Sequence, residues 1–349
     1  MPHATDSSGD PAVADEGSRR PEEGAEVHEH DRKWHSSRVH VWRQFNEVPS
    51  DLGPTVVSIG NFDGVHRGHQ HVLRQARTAA DELGLEKVVV VTFDPHPIAV
   101  LRPEHAPPTL TSIDTRVALL AEQGVDAVLV VPFDREIAAW SPDEFVERVL
   151  VSSLAAKAVV VGANFRYGSR AAGDVATLRE SGVEHGFGVD GVPLDGGPQV
   201  WSSTYVRQCL ATGDVAGAAE ALGRAFTVRG EVVRGDQRGR ELGYPTANVP
   251  TPHAEAAPAD GVYAGWLTRR DTGERYPAAI SVGTNPTFSG ERARRVESYV
   301  LDRDDLELYG VEVEVAFVDR LRGMVRFDSV ETLVEQMHDD VERARQLLA

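Results

Sequence analysis

SIGNFDGVHRGHQHVLRQA, residues Ser58 to Ala76, decides how the first half of this chain folds. The hydrophobic run leading into it (Val56, Val57, Ile59) reads as a buried strand, and the apolar-periodic run leaving it reads as a helix. Gly60, Asn61, Gly64, His66, Gly68 and His69 stand at the junction. His66 and His69 are three apart, so both lie on one face of the first helical turn. Gly68 between them removes a side chain, which lets a ligand approach the backbone. A helix N-terminus offers free amides and the positive end of the dipole to an anion. Two imidazoles there add donors for phosphate oxygens, so the junction reads as a place to hold nucleotide phosphates. The bland alternative is a tight turn with two surface histidines. The strand, the Asn-Phe-Asp-Gly turn and the helix weigh against it, because all three sit where a phosphate site needs them.

Other nucleotide motifs are excluded. The chain has three lysines, Lys33, Lys87 and Lys157, and none follows a GxxxxG, so there is no Walker A loop. No GxGxxG follows a strand. The net charge of −18 argues against a general binder of nucleic acid or anionic membrane. The single cysteine, Cys209, cannot make an internal disulfide, so a reducing cytoplasm is expected. No apolar run nears the length of a membrane span, and no apolar signal core is expected at the N-terminus.

A chain of 349 residues has room for two or three domains. Residues 1–37 are expected to be a disordered acidic tail: within the first 35, nine acids and four bases accompany few large apolar residues. His3, His28, His30 and His35 there read as solvated residues rather than metal ligands. From residue 38 the pattern alternates. Val56–Ile59, Val88–Phe93, Ala127–Val131 and Ala158–Gly162 read as buried strands. Helical segments lie near His66–Leu83, Ser112–Gln123 and Pro142–Leu150. Such alternation predicts a parallel sheet covered on both faces, with ligands beyond the carboxyl ends of its strands. After Ser202 come a helical stretch and then Gly-punctuated strands from Phe226 to about Phe317, which predict an antiparallel barrel or sandwich. Asp328–Leu348 reads as a capped amphipathic helix with Leu333, Met337, Val341, Ala344 and Leu348 in one stripe.

Five further segments carry candidate chemistry. In TFDPHP, Asp94 and His96 project from the ligand-facing end of a strand. In VVGANFRYGSRAAGD, Asn164, Phe165, Arg166 and Gly168 are placed to frame a base or an aromatic substrate. SSTYVR opens a helix with Ser202 or Ser203 as N-cap, and Arg207 stands one turn in, suited to a polyphosphate with Ser203 and Thr204. In GEVVRGDQRGRELGYPTANV, a loop with Gly235, Arg238, Gly239, Arg240 and Gly243 can wrap phosphates through backbone amides. Thr246 and Asn248 follow; in an extended segment they point the same way and supply neutral oxygens suited to Mg2+ already bound to ATP. Glu297, in RRVESYVL, shares a face with Tyr299 and Leu301 and is either an edge charge or a functional group in a pocket.

The run GNFDGVHRGHQ is similar to the HxGH signature of nucleotidylyltransferases. In this longer form it resembles the FAD synthetase module of the bacterial bifunctional riboflavin kinase/FAD synthetase family. That resemblance spans roughly Val56 to Phe226 and includes SSTYVRQCLATGDVAGAAEALGRAF. The family's pattern commonly has Asp where this chain has Asn164, which still donates and accepts hydrogen bonds. The order PTAN, DGVYAG, GTNPTF, VESYVLD and DLELYG resembles riboflavin kinase from Phe226 to the C-terminus. The implied fold is a Rossmann-like nucleotidylyltransferase domain, 38–222, followed by a Greek-key β-barrel kinase domain with a terminal helix, 223–349.

The implied function is FMN from riboflavin and ATP, then FAD and pyrophosphate from FMN and ATP. His66 and His69 would serve the α-phosphate and leaving bridge, with Asn61 orienting the same phosphate. Ser203, Thr204 and Arg207 would hold the β- and γ-phosphates. Glu297 would be the general base for the ribityl 5′-hydroxyl, with Thr246 and Asn248 on Mg-ATP. The expected partners are ATP, riboflavin and FMN, with a homo-oligomer admitted and neither nucleic acid nor membrane. Two rivals are a riboflavin kinase alone and a non-catalytic flavin-binding regulator. Intact His66, His69 and Arg207 speak against the first, and intact Thr246, Asn248 and Glu297 against the second, since binding alone needs no base.

Overall fold

Thr55–Ile59 is buried at every position, as a strand covered on both faces must be. It is β2 in a computed structural model that describes residues 39–193, 201–235, 242–252, 254–284 and 294–349. The expected acidic tail, 1–37, lies outside the described residues. Strand β1 (His40–Trp42) precedes β2, and α1 (Arg67–Leu83), β3 (Val88–Asp94), α2 (Pro97–Leu101), α3 (Ile113–Ala121) and β4 (Ala127–Pro132) follow. Next come α4 (Pro142–Phe145), β5 (Ala156–Gly162), the small pair β6 (Arg166–Tyr167) and β7 (Gly173–Asp174), α5 (Val175–His185) and β8 (Gly188–Val192). The large sheet has the order β1-β4-β3-β2-β5-β8 and is parallel throughout. Successive strands run outward from β2 in both directions, so the order reverses between β2 and β5. Ligands bind at such a switch point.

Helices α6 (Ser203–Thr212) and α7 (Val215–Leu222) lead into β9 (Phe226–Glu231), β10 (Thr246–Thr251), β11 (Gly261–Arg269), β12 (Arg275–Thr284), β13 (Arg294–Val300) and β14 (Glu312–Gly323). These form an antiparallel sheet of order β10-β13-β12-β11-β14-β9. Strands β11, β12 and β13 form a meander, and β14 returns to lie beside β11, which is a Greek key. The Val233 amide donates to the Asn248 carbonyl at 2.9 Å, bringing the end beyond β9 back to β10 and nearly closing the barrel. Its interior is apolar, from Val228 and Val249 to Tyr263, Ile280, Val296 and Phe317. Leu110, Val206, Leu210 and Leu222 belong to the same core, so the two halves share buried surface within one compact unit, Arg38–Ala349.

Helix α8 (Val330–Leu348) lays Val341, Ala344 and Leu348 on Val262, Ala264, Ala279 and Leu321 outside the barrel. The expected stripe is confirmed there, although Leu333 and Met337 are only partly covered. Ser329 caps this helix and Ser202 caps α6. The helix expected at Pro142–Leu150 is α-helical only to Phe145 and runs on with π-type bonding over Val146–Ser153. Among the described residues no helix is long and apolar enough to cross a membrane.

Candidate active sites

The turn between β2 and α1 is anchored by Asp63, which is 1% exposed. Its carboxylate accepts from the Leu110 and Thr111 amides at 3.0 Å and from the Thr111 hydroxyl at 3.1 Å. Two guanidiniums reach it, Arg207 of α6 at 2.5 Å and Arg116 of α3 at 3.5 Å. Buried charges are tolerated only when paired in this way. Asp63 therefore fixes where α3 and α6 stand relative to the turn.

His66 is the N-cap of α1, and its Nδ1 accepts from the His69 amide at 3.3 Å. That bond places the ring proton on Nε2, so the free nitrogen is a donor. The His66 and His69 rings stack with centroids 3.6 Å apart, and Phe62 flanks His69 at 5.0 Å. His66 is 6% exposed, which removes the surface-histidine alternative. Burial, with Arg207 and Arg224 adding to it against the pull of Asp63, lowers the His66 pKa to about 4. Burial, then the charges of His66 and Arg116, hold His69 well below the usual histidine value. Both imidazoles are thus neutral donors at pH 7, not cations. His69 Nδ1 is buried and has no hydrogen-bond partner.

A two-lobed cleft lies beyond the carboxyl ends of the parallel strands, the lobes joined at Asn61, Ile98 and His105. The polar lobe, about 720 Å³, is lined by Asn61, Asp63, His96, Ser203, Thr204 and Arg207. The other lobe, about 930 Å³, is walled by Phe93, Leu101, Phe133 and Tyr167 and also carries Gly60, Asn164, Phe165 and Arg166. Phe165 stacks on Tyr167 with centroids 5.6 Å apart, making a flat aromatic wall. The cleft thus gathers Gly60, Asn61, His96, Asn164, Phe165, Arg166, Ser203, Thr204 and Arg207, whereas His66, His69, Gly64 and Gly68 belong to the turn and are not among its lining residues.

Several details differ from the sequence expectations. Arg207 lines the cleft already paired with Asp63 and bonded through Nε to the Pro108 carbonyl at 2.7 Å. Ser203 donates to the Asp63 carbonyl at 2.8 Å. Gly68 does not clear room for a ligand: a Cβ there would lie 3.1 Å from the His66 ring and from the Trp201 carbonyl oxygen. Gly64, at φ +81°, has Leu110 where a Cβ would go, 2.9 Å away. His96 caps α2 by accepting from the Ile98 amide at 3.2 Å. Asp94 is exposed at the end of β3, outside the lining of the cleft. Arg166 is exposed and pairs with Asp174 at 3.1 Å.

The second site is set by strand register. Asn248 on β10 stands opposite Glu297 on β13, and Thr246 opposite Tyr299. Directly opposed residues project to the same face, so Thr246, Asn248 and Glu297 share one side, with Ser281 of β12 next in the row. The Asn248 amide nitrogen donates to the Thr246 carbonyl at 3.2 Å and hydroxyl at 3.3 Å. Its Oδ1 is buried without a partner. Gly235 lies so close that a Cβ would come within 2.6 Å of that oxygen. A pocket of about 420 Å³ adjoins Thr246 and Asn248 and is lined also by Arg234, Gly235, Ser298 and Tyr309; Glu297, which points to the opposite face of β13 from Ser298, is not among its lining residues. Gly243 takes φ +86° in the loop before β10. Arg238, Gly239 and Arg240 lie outside the described residues. Among the described residues no three His, Cys, Asp or Glu side chains converge as a metal cage.

The FAD synthetase family model matches residues 48–204 and the riboflavin kinase model matches residues 222–348. A bifunctional riboflavin kinase/FMN adenylyltransferase of Escherichia coli K12 is 38% identical over 294 residues, 83% of this chain and 92% of that protein. The chain belongs to this bifunctional family. A relative of the same name from Pseudomonas fluorescens is 39% identical over 84% of this chain and 93% of its own length. One from Listeria monocytogenes is 35% identical over 90% and 96%. A crystal structure named as a macrolide-efflux protein from Streptococcus pneumoniae superposes with a TM-score of 0.79 at 33% identity, covering 88% of this chain and 98% of that one.

Both an FAD synthetase domain and a riboflavin kinase domain are therefore present, and the cleft and the barrel pocket fall one in each. Around the FAD synthetase site the sequence reading missed Asp63 and Arg116, and also Arg224, which comes from the start of the kinase half. Asp63 sits in the quoted run but reads there as an ordinary turn residue. Arg116 falls inside an apolar helical pattern, where nothing marks it as 4% exposed and charged.

Proposed function

We propose that the barrel site makes FMN and the cleft converts it to FAD, with residues 38–222 as the FMN adenylyltransferase domain and 223–349 as the riboflavin kinase domain. In the first step Glu297 accepts the proton of the ribityl 5′-hydroxyl as that oxygen attacks the γ-phosphorus of ATP, and ADP leaves. Mg2+ would be held with its nucleotide by Thr246 Oγ1 and Asn248 Oδ1. The donor set fits: a buried amide oxygen without a partner and a hydroxyl beside it are neutral oxygens of the kind a hard cation takes. Bound there, the ion would offset negative charge on the phosphates.

In the second step an FMN phosphate oxygen attacks the α-phosphorus of ATP, and pyrophosphate leaves. The substrate is its own nucleophile, so the protein's task is to position and to stabilise charge. Asn61, the Nε2–H group of His66 and the imidazole of His69 serve the α-phosphate, and Ser203, Thr204 and Arg207 the β- and γ-phosphates. The aromatic lobe with Phe165 takes the flat ring system. A reducing cytoplasm suits the single cysteine, Cys209, which is buried and free.

The observation that carries this reading is the register pair Asn248–Glu297 in the same chain as the stacked pair His66–His69. The test is to incubate the protein with riboflavin, ATP and Mg2+ and to separate the flavins over time. FMN followed by FAD is expected. FMN that never becomes FAD would leave a riboflavin kinase alone, and unchanged riboflavin would leave a binding protein.

A further inference from the structure

The turn that carries the HxGH run is strained, and part of what holds it comes from the other half of the chain. Phe62 and Val65 adopt φ of +48° and +42° around Gly64. A β-branched residue with positive φ is an outlier that persists only where its surroundings over-determine it. Arg224, in the link between α7 and β9, donates from Nη2 to the Gly64 carbonyl at 2.8 Å and from Nη1 to the Leu222 carbonyl at 3.4 Å. Gln70 of α1 ties Val65 to the same link, donating to the Val65 and Leu222 carbonyls, each at 2.9 Å. One strand further, Arg229 of β9 donates to Thr115 of α3 at 3.0 Å, beside the Arg116 that meets Asp63.

Arg224 is only partly exposed, and both of these hydrogen bonds go to carbonyls. Desolvation of the guanidinium is costly and is offset in part by the charges of Glu122 and Glu314, while its hydrogen bonds go to the backbone of the turn and the link.

We propose that Arg224 is a positioning residue for adenylyl transfer: the link that begins the kinase half holds the Gly64 carbonyl and thereby sets the geometry of His66. The inference rests on reading the cleft as the adenylyltransferase site. Geometry of this kind is worth much in a reaction that has no protein nucleophile, since a displacement near 1 Å costs on the order of 100-fold. The charged and titratable groups around His66 are Asp63 from the turn, Arg207 from α6, Arg224 from the link and His69 from its own helix. Arg224 also helps keep the His66 imidazole neutral.

The experiment compares full-length wild type, Arg224→Gln and Arg224→Lys. FAD formation from supplied FMN and FMN formation from riboflavin are measured on the same preparations, and the His66 ring is titrated by NMR. In Arg224→Gln, kcat for FAD formation is expected to fall on the order of 10- to 100-fold, with KM for ATP and FMN within about twofold. FMN formation stays at the wild-type rate, His66 titrates at higher pH, and Arg224→Lys recovers part of kcat. Three results would overturn the inference: unchanged FAD formation in Arg224→Gln, equal loss of both activities, or a loss confined to KM. The second would mean a general folding role and the third direct ATP binding. A wild type that makes FMN but no FAD would remove the adenylyltransferase reading itself, and this inference with it.

Discussion

The carboxylate of Asp63 holds the guanidinium of Arg207, 144 positions later in the chain, at 2.5 Å, and meets Arg116 at 3.5 Å on its other side. Asp63→Asn keeps the shape and removes the charge. Two largely buried guanidiniums then lose the carboxylate they share, which is expected to cost on the order of 3–5 kcal/mol. Equilibrium unfolding in urea measures this. A loss near zero would mean that the three side chains do not depend on one another.

The amide of Asn248 is pressed by backbone at Gly235, where a Cβ would lie 2.6 to 2.7 Å from it. Gly235→Ala must push that amide out of line with Thr246. Overpacking of this kind costs roughly 1–3 kcal/mol, so kcat/KM for riboflavin phosphorylation is expected to fall about 10-fold or more. FAD formation from supplied FMN should not change. Steady-state kinetics of the two reactions separate these outcomes, and an unaffected kinase would place the nucleotide elsewhere.

Burial and neighbouring cations lower the His66 pKa from 6.5 to about 4. The folded protein then binds fewer protons than the unfolded chain between those values. The stabilisation is complete above pH 6.5 and is lost as the pH falls through the folded value near 4. For His66 it amounts to on the order of 3 kcal/mol. Thermal unfolding followed from pH 7 to pH 4 should show the decline in wild type and a flatter curve in His66→Asn. Parallel curves would show that His66 is not held neutral.

Helix α8 is pinned to the barrel by Arg322, whose Nε and Nη2 meet the Asp340 carboxylate at 2.7 to 3.0 Å, with Asp340 3% exposed. Asp340→Ala leaves a partly buried cation and uncovers the Val341–Ala344 face. A loss of roughly 3–5 kcal/mol is expected, with faster amide exchange confined to α8 and the strand faces under it. Exchange unchanged in α8 would show that its apolar face docks it unaided.

Much of this architecture was legible because it depends on local pattern. The Val-rich runs at Val56 and Val88 could bury both faces only in a parallel sheet, and the caps Ser202 and Ser329 mark their helices directly. The strands His40–Trp42 and Gly188–Val192 were not legible, one being three residues long and the other carrying two glycines and an aspartate. They sit at the two edges of the sheet, where pairing to a neighbour rather than side-chain pattern makes the strand. In the cleft, the motif residues were readable by spacing, but the charges that hold them were not. Asp63, Arg116 and Arg207 come from three separate elements and meet only in three dimensions. The partnership of Asn248 with Glu297 likewise depends on register between β10 and β13, which no local run encodes.

The most direct test of two separate active centres in one chain is a crossed assay of Glu297→Gln and His66→Ala. Each variant is supplied in turn with riboflavin and with FMN, together with ATP and Mg2+, and its flavin products are separated. Glu297→Gln should lose FMN formation by a factor on the order of 100 to 10,000 and still convert FMN to FAD. His66→Ala should make FMN at the wild-type rate and little FAD. If either substitution abolished both reactions, or if each abolished the reaction assigned to the other, the account would be contradicted.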